Sequence, residues 1–241
     1  AVEVRFPRPE PTEELFPDED GLAGDAIGAG PRKHRRAAAR ERPVQVCVAH
    51  GNLAYARYAV AVGHYAGDTI ISAERHLDLA LASALTRRHQ IGLYPAEIGT
   101  NAVFINPKLS ANPAASPKGA VVVGLGTVGS LNAASLTRSI RRALLEYAVQ
   151  WKDFGPREAD GDAGQDLGVS ALLIGTGAGG IPVDDSVFAM LQAVGAANRA
   201  LAFAKSAQRI RFVEFIELFE DRAIQAVEAL RQLGSQAPLR D

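Results

Sequence analysis

The hydrophobic positions of the chain follow two patterns. Short apolar runs predict strands buried on both faces, and apolar residues three or four positions apart predict helices. The predicted strands are residues 44–49, 58–62, 102–105, 120–123, 169–174 and 210–219, with an edge strand near residues 2–6. Because helices alternate with strands, we expect a three-layer α/β/α fold around a mostly parallel mixed sheet of about six strands.

Four helices are predicted between and after these strands. The first carries Leu77, Leu81 and Leu85 on one stripe and has Ser72 as a candidate N-cap. The second begins after the candidate N-cap Asn132 and runs to about residue 150. The apolar stripes of the last two are Val187, Leu191, Val194 and Leu201, and then Ile224, Val227 and Leu230.

Residues 1–42 differ in composition from the rest of the chain. An acidic, proline-rich block over 7–20 precedes a basic run over 32–42. Opposed charge blocks with few aromatic residues are typical of a linker or peripheral segment. We therefore assign the folded domain to residues 43–233 and a tail to 234–241. The alternative for the basic run, a nucleic-acid or membrane contact, is opposed by the acidic block beside it.

Composition excludes several classes of protein. With 241 residues, 47% of them hydrophobic, the chain can bury one substantial core. A formal net charge of -1 argues against a general nucleic-acid binder. No apolar run reaches the roughly 18–20 residues of a membrane span, and no signal peptide opens the chain. The single cysteine, Cys47, excludes an internal disulfide and is expected to be a buried apolar residue. We therefore expect a cytoplasmic protein.

The chain begins at Ala1, and its only methionine is Met190. We therefore expect it to be a piece of a longer protein. Its partners would then include other domains of the same polypeptide.

Two segments share one arrangement, in which an apolar strand leads through a glycine-dense loop into an amphipathic helix. The loops are residues 124–129 and 175–180. Such a loop directs backbone N–H groups and the positive end of the helix dipole to one point, which favours anion binding. The two segments therefore predict a site for a phosphate-bearing ligand.

The first loop satisfies the G-x-G-x-x-G pattern of dinucleotide-binding folds. That fold needs the helix to open inside the motif and an acidic residue at the end of the next strand. Here the helix is capped near Asn132, after the third glycine, and Glu146 lies inside the helix. An NAD-binding, Rossmann-like domain therefore stays an alternative. The structural alternative is that these glycines only form a turn that packs the strand against the helix.

The second loop is more specific. Pro182 falls near the first turn of the helix, where its missing N–H costs little. Asp184, Asp185 and Ser186 offer N-capping groups. The two acidic residues suit the helix dipole but repel an anion. A bound phosphate would therefore be held mainly by the amides of residues 175–180.

The sequence contains few residues in arrangements that could bind a metal or catalyse a reaction. His50, His64 and Asp68 lie near the ends of the first two strands, but they lack the paired spacing of a metal site. No G-x-S-x-G elbow and no carboxylate pair placed for acid–base catalysis is present. The sequence therefore predicts no metal, no cofactor and no catalytic residues.

The two glycine loops resemble the macro-domain-like fold, in particular the N-terminal domain of the leucine aminopeptidase family. The run 121–126, with Leu131 and the arginine-rich helix after it, is similar to a strand-and-helix segment of that domain. The run 172–182 is similar to the macro-domain loop that wraps the diphosphate of ADP-ribose. The resemblance spans about residues 44–230 and implies a phosphate loop at 175–180.

Three positions differ from the usual macro-domain pattern. Ile181 replaces an aromatic residue, and Asn52 stands where an aspartate usually reads adenine. Gly63-His64-Tyr65 stands where an asparagine usually reads the distal ribose. The resemblance also leaves out the metal-binding peptidase half of the aminopeptidases. These differences favour a module without catalysis of its own. The alternative is a macro-type hydrolase of ADP-ribose derivatives, with His64 and Asn52 as its best polar groups.

The runs 62–65, 92–95 and 175–180 together also resemble a segment of large bacterial proteins that lies beside a caspase-like CHAT domain. This resemblance implies a bacterial, multidomain context with a caspase-like protease as a neighbour. No Cys/His dyad is present in the chain, so the protease would lie elsewhere in the polypeptide.

The leading hypothesis is a non-catalytic, ligand-sensing or scaffolding macro-like module that binds a nucleotide-type anion. We expect residues 50–52 and 124–129 to line the same end of the sheet as the second loop. The candidate binding residues are Gly175, Thr176, Gly177, Ala178, Gly179, Gly180, Gly124, Gly126 and Asn52. A third alternative is an interaction module whose glycine loops only pack strand against helix.

Overall fold

Seven strands form one mixed sheet in the computed structural model, which describes residues 2–4, 43–155 and 166–235. The strands are β1 (Val2–Val4), β2 (Val44–His50), β3 (Ala59–His64), β4 (Asn101–Ile105), β5 (Gly119–Gly124), β6 (Asp166–Ala171) and β7 (Arg209–Glu217). Their order is β1-β2-β7-β6-β3-β5-β4, with only β1 and β4 antiparallel to their neighbours. The predicted mostly parallel mixed sheet is confirmed, and so is the predicted strand at the start of the chain.

Five helices cover the two faces of this sheet. They are α1 (Ser72–Ala80), α2 (Ala84–Gln90), α3 (Ala133–Phe154), α4 (Val183–Phe203) and α5 (Glu220–Ser235). Helices α3, α4 and α5 pack on one face, and α1 and α2 pack on the other. The predicted three-layer α/β/α architecture is confirmed. The charged blocks predicted over residues 7–42 and the tail beyond 235 lie outside the described residues.

Strand β3 shows why the apolar runs are nearly continuous. Ala59 and Ala61 face the core beneath α3 and α4, whereas Val60 and Val62 face the core beneath α1 and α2. Because both faces of the strand are covered, the successive side chains of residues 59–62 are all apolar.

Two strands end earlier than predicted, at the edge of the sheet where their loops begin. Strand β6 ends at Ala171, because the Leu173 N–H donates to the Glu217 Oε1 carboxylate oxygen at 3.1 Å instead of extending the ladder. Strand β7 ends at Glu217, and the next two residues, Leu218 and Phe219, are 61% and 62% exposed.

The region after β3 contains two helices where the pattern predicts one. The stripe of Leu77, Leu81 and Leu85 is buried as predicted, but the chain breaks before α2. The buried Asp78 carboxylate explains the break, since it accepts hydrogen bonds from the backbone and the side chain of Thr86 and so fixes the turn between α1 and α2.

Two finer predictions for the helices are wrong. Ser72 makes no N-cap hydrogen bond, because it is already the first residue of α1 and the cap position falls on Ile71. In α5, Ile224 is 51% exposed, and the buried stripe is Ala223, Ala226, Ala229 and Leu230. Small residues face the sheet there, so the larger apolar side chain did not mark the buried face.

Helix α4 is long and apolar enough to be a candidate membrane span by length and composition, although the sequence predicted none. However, 61% of its apolar window is buried inside the protein. Val187, Leu191, Val194 and Leu201 all face the core as predicted. The helix is apolar on most sides because it packs between α3, α5 and the sheet.

Candidate functional site

The loops after the parallel strands meet at one edge of the sheet. At one side of this edge the Gly51 N–H donates to the Glu217 carbonyl oxygen at 2.9 Å. At the other side the Ala66 N–H donates to the Gly126 carbonyl oxygen at 2.9 Å. The loop 175–180 follows β6, which lies between β7 and β3. The prediction that residues 50–52, 124–129 and 175–180 line the same end of the sheet is therefore confirmed.

The loop 175–180 holds its own shape through two backbone hydrogen bonds. The Ile181 N–H donates to the Gly175 carbonyl oxygen, and the Gly180 N–H donates to the Gly177 carbonyl oxygen, both at 3.1 Å. Gly175 and Gly180 have φ angles of +86° and +65°, in the left-handed region that favours glycine. The bend is therefore built into the backbone.

Two successive amides of this loop, those of Gly177 and Ala178, have no hydrogen-bond acceptor among the described residues. The next amide, that of Gly179, lies against the Tyr65 hydroxyl. Gly177 and Gly180 border open space, since a Cβ atom added to either would meet no atom within 4 Å. The loop therefore presents unused N–H groups beside an open volume, as an anion site requires.

Helix α4 begins directly after this loop without a side-chain cap. Its cap residue is Pro182, and no side chain accepts a capping hydrogen bond. The prediction that Asp184, Asp185 and Ser186 provide caps is wrong, because they lie inside the first turn. The Ser186 hydroxyl instead donates to the Ile174 carbonyl oxygen at 2.8 Å. The start of α4 therefore has no side-chain cap, and Asp184 and Asp185 in its first turn offset part of the positive end of its dipole.

Tyr65 covers one end of the loop. Its hydroxyl lies so close to Gly179 that a Cβ atom there would overlap it. The hydroxyl is buried and has no normal hydrogen-bond partner, although the Gly179 amide lies near it. Burial, helped by the Asp68 carboxylate, raises the pKa of Tyr65. The O–H of Tyr65 has no acceptor among the described residues, so it can donate to an incoming anion.

Arg222 borders the other end of the loop. From the first turns of α5 its Nη1 donates to the Thr176 Oγ1 atom at 2.8 Å. The Thr176 hydroxyl in turn donates to the Leu173 carbonyl oxygen at 2.9 Å. Below them lies Glu217, whose pKa is raised by burial against the opposing effects of the Leu173 amide and Arg222.

The first glycine loop is packed more tightly at its start. A Cβ atom on Gly124 would overlap the carbonyl oxygen of Glu97, and one on Gly126 would lie within 3 Å of Ser130 and Ile98. Both amides are occupied, since Gly124 N–H donates to Thr100 and Gly126 N–H donates to Ala96 at 2.8 Å. The structure thus places these two candidate binding residues against residues 96–100. Open backbone begins only at 127–129.

Asn52 lies at the exposed end of β2, where its Oδ1 accepts the Ala54 N–H at 2.8 Å and begins a short turn. The neighbouring strand β7 brings Phe219 to the same side of the edge, because the His50 ring nitrogen contacts the Leu218 carbonyl oxygen at 3.1 Å. An exposed aromatic ring and an amide side chain therefore lie on the β2 and β7 side of this edge.

His64 does not join the loop. Its ring is buried on the α1 face of the sheet, where Nδ1 lies 3.0 Å from Glu74 Oε2. The Tyr94 hydroxyl donates to the same carboxylate at 2.7 Å, and its own pKa is raised, first by burial and then by Glu74. Tyr65, the next residue after His64, points to the opposite face and contacts Gly179.

The predicted loop histidines do not converge on a metal. His50 contacts the Leu218 backbone, His64 pairs with Glu74, and no group of three or more His, Cys, Asp or Glu residues within the described ranges could hold an ion. Cys47 is half-buried on β2, and burial raises its pKa. A raised pKa disfavours the reactive thiolate form.

Sequence reasoning missed Arg222, Phe219 and Glu217. All three follow or end β7, the last strand, whose position beside β6 and β2 cannot be read from the chain order. The one available signal was the run 217–222, where acidic, aromatic and basic residues interrupt the apolar pattern at a strand end.

No family model matches the chain, and no curated protein matches it in sequence. Solved structures of macrodomains do share its fold. A Trypanosoma brucei macrodomain in complex with ADP-ribose matches with a TM-score of 0.51 and 13% identity, over 77% of this chain and 68% of that chain. An Oceanobacillus iheyensis macrodomain mutant with ADPR matches with a TM-score of 0.52 and 14% identity, over 80% of this chain and 95% of that chain.

The same Oceanobacillus iheyensis macrodomain with ADP gives a TM-score of 0.50 at 15% identity, over 79% of this chain and 92% of that chain. At such low identity these likenesses establish the fold alone. The chain therefore has a macrodomain fold, as the resemblance of its glycine loops implied.

Proposed function

We propose that the chain is a macro-type module that binds a nucleotide diphosphate of the ADP-ribose class over residues 175–180. The observation that carries the proposal is the pair of unused amides at Gly177 and Ala178, beside open space at the start of α4, where no side chain caps the helix. Structural neighbours in complex with ADP and ADP-ribose support this choice of ligand.

The order of the loops supports one orientation of the ligand. Asn52 and Phe219 lie on the β2 and β7 side of the loop and would hold the base. Tyr65 lies on the β3 side, next to the open backbone of 127–129, and would face the distal ribose. The diphosphate would then lie over 177–179, between the two ends.

We propose further that the module senses or presents its ligand without transforming it. The support is the position of His64, whose imidazole faces Glu74 and Tyr94 on the other side of the sheet. The proposed setting is a larger bacterial, cytoplasmic polypeptide, in which a neighbouring domain, such as a caspase-like protease, would respond to the bound ligand. The support for this setting is the resemblance of the runs 62–65, 92–95 and 175–180 to segments beside CHAT domains.

Calorimetric titration with ADP-ribose tests the binding proposal, with adenosine as the uncharged comparison. Ala178→Asp places a carboxylate beside the unused amides and is expected to weaken ADP-ribose binding at least tenfold. Ala114→Asp, at another exposed loop alanine outside this site, is the matched control and should leave affinity unchanged. Absence of ADP-ribose binding by the unmodified chain at millimolar ligand would refute the proposal, as would equal effects of the two substitutions.

A turnover assay tests the non-catalytic role separately. The chain is incubated with a peptide carrying ester-linked ADP-ribose, and released ADP-ribose is measured by chromatography. We expect binding without release above the uncatalysed rate. Release that disappears in His64→Ala or Asn52→Ala would instead support the hydrolase.

A further inference from the structure

Arg222 is placed to act on the ligand and not only on the fold. We propose that its guanidinium is a direct ligand of the bound anion and makes the site select for phosphate charge. This inference rests on the binding function proposed above. It names a residue outside both glycine loops, supplied by the first turns of α5.

The first support is the position of the guanidinium. Its Nη1 donates to Thr176 Oγ1 at 2.8 Å, which places the cation one residue from the unused amide of Gly177. Since Thr176 also donates to Leu173, its side chain is fixed on both sides, and it holds Arg222 at the rim of the loop.

The second support is the donor capacity that this contact leaves unused. A guanidinium has five N–H donors in a planar fork. Within the described ranges, the bond to Thr176 is the hydrogen bond that Arg222 makes. Arg222 acts on the neighbouring Glu217 carboxyl, whose pKa it lowers against the effect of burial, but forms no ion pair within 4 Å among the described residues, and its side chain is only partly buried. The remaining donors are therefore available to a phosphate oxygen, with which arginine forms strong, charge-assisted bonds.

The third support is the sign of the surrounding charge. The carboxylates near the loop and the two helix starts are Asp184, Asp185, Glu217, Glu220 and Asp221. Amides alone would have to hold a diphosphate against this negative field. Arg222 is the cation that hydrogen-bonds to residues 175–180 within the described part of the chain, so it offsets the repulsion where the anion would bind.

The alternative is that Arg222 only tethers α5 to the loop through Thr176. The two roles differ in what they predict for different ligands. A tether affects every ligand alike, because it acts through the shape of the loop. A direct ionic contact affects phosphate-bearing ligands, leaves uncharged ones unaffected, and weakens with salt.

The test compares Arg222→Gln, Arg222→Lys and the control Arg231→Gln, which removes an exposed arginine near the far end of the same helix. Each full-length variant is titrated with ADP-ribose, ADP and adenosine at two salt concentrations, and its melting temperature is recorded. We expect Arg222→Gln to weaken binding of both phosphate ligands by roughly 10- to 30-fold. Adenosine should change by less than twofold, Arg222→Lys should retain part of the affinity, and Arg231→Gln should match the unmodified chain.

The other outcomes distinguish failure of the proposed function from failure of this inference. If the unmodified chain binds no phosphate ligand, the proposed function and this inference both fail. If it binds ADP-ribose and Arg222→Gln binds equally well, only the inference fails. Equal losses for ADP-ribose and adenosine would assign Arg222 the tethering role and overturn the ionic one.

Discussion

The two glycine loops look alike in sequence but differ in what their backbone groups contact. At 124–129 the amides of Gly124 and Gly126 are bonded, and their Cα atoms lie against residues 96–100. At 175–180 the amides of Gly177 and Ala178 are unused beside open space. The density of glycine is therefore a poor guide to ligand binding, because glycine also serves close packing.

The helix starts after the two loops show the same contrast. Helix α3 begins with a complete capping box, in which Asn132 Oδ1 accepts the Ser135 N–H at 2.9 Å and the Ser135 hydroxyl accepts the Asn132 N–H. Helix α4 begins at Pro182 with no side-chain cap. A helix that satisfies its own first amides has few left for a ligand, whereas no side chain accepts the first amides of α4.

The sharpest test of this contrast exchanges one glycine for alanine in each loop. Gly124→Ala is expected to lower the free energy of unfolding by roughly 2–3 kcal/mol, because its Cβ would overlap the Glu97 carbonyl oxygen. Gly177→Ala should not destabilise the fold, since its Cβ enters open space, but it should weaken ADP-ribose binding about tenfold. Chemical denaturation and titration of both variants measure this. Equal losses of stability in the two variants would show that the two loops do not differ in packing.

The capping box of α3 gives the next largest effect. Asn132→Ala is expected to cost about 1 kcal/mol of folding stability, because the Ser135 amide loses its acceptor. ADP-ribose affinity should stay within twofold, since this helix start serves the fold. Asn132→Asp, which preserves the cap, is the matched control in the same denaturation series. A tenfold loss of affinity on Asn132→Ala would show that the first loop also binds the ligand.

Substitution of Tyr65 is expected to weaken ADP-ribose binding without lowering thermal stability. Tyr65→Phe removes a buried hydroxyl that has no normal partner, so thermal stability should be equal or slightly higher. If the hydroxyl donates to the bound phosphate, affinity for ADP-ribose falls about fivefold. Tyr55→Phe, at an exposed tyrosine, is the control. Lower stability with unchanged affinity would assign the Tyr65 hydroxyl to the fold.

The smallest expected effect is a pH dependence from Glu217. Since burial raises its pKa, the carboxyl stabilises the fold most below its unfolded value of 4.5, and this contribution is lost as the pH rises through the folded value. ADP-ribose affinity should rise as the pH falls through the folded pKa, because the carboxylate under the loop becomes neutral. Glu217→Gln should remove this dependence and strengthen binding about twofold at neutral pH. An unchanged affinity-versus-pH profile in this variant would exclude Glu217 as its source.

The sequence predicted the architecture well because burial on both faces leaves a direct trace. The continuous apolar runs that became β3 and β5 and the Asn132 cap were readable without neighbours. The ends of β6 and β7 could not be predicted. The Glu217 side chain, at the end of β7, accepts a hydrogen bond from the Leu173 N–H just after β6. That contact depends on which strands are adjacent.

The sequence predicted only the part of the candidate site that lies within one continuous segment of the chain. Residues 175–180 were identifiable because glycine, proline and helix signals follow one another along the chain. Arg222 lies more than forty residues later and contacts the loop only because β7 lies beside β6. Gly124 and Gly126 were chosen by pattern, and only the structure shows the packing that occupies them.

The two internal hydrogen bonds of the loop 175–180 also bear on how quickly a ligand could associate. Because Ile181 and Gly180 already fix the bend, the backbone needs no refolding before it meets a phosphate. If the proposed ligand binds, little conformational entropy would be lost on complex formation, and the main change would be the exchange of loop water for ligand oxygens. A preformed loop of this kind would suit the proposed module to following rapid changes in ligand concentration.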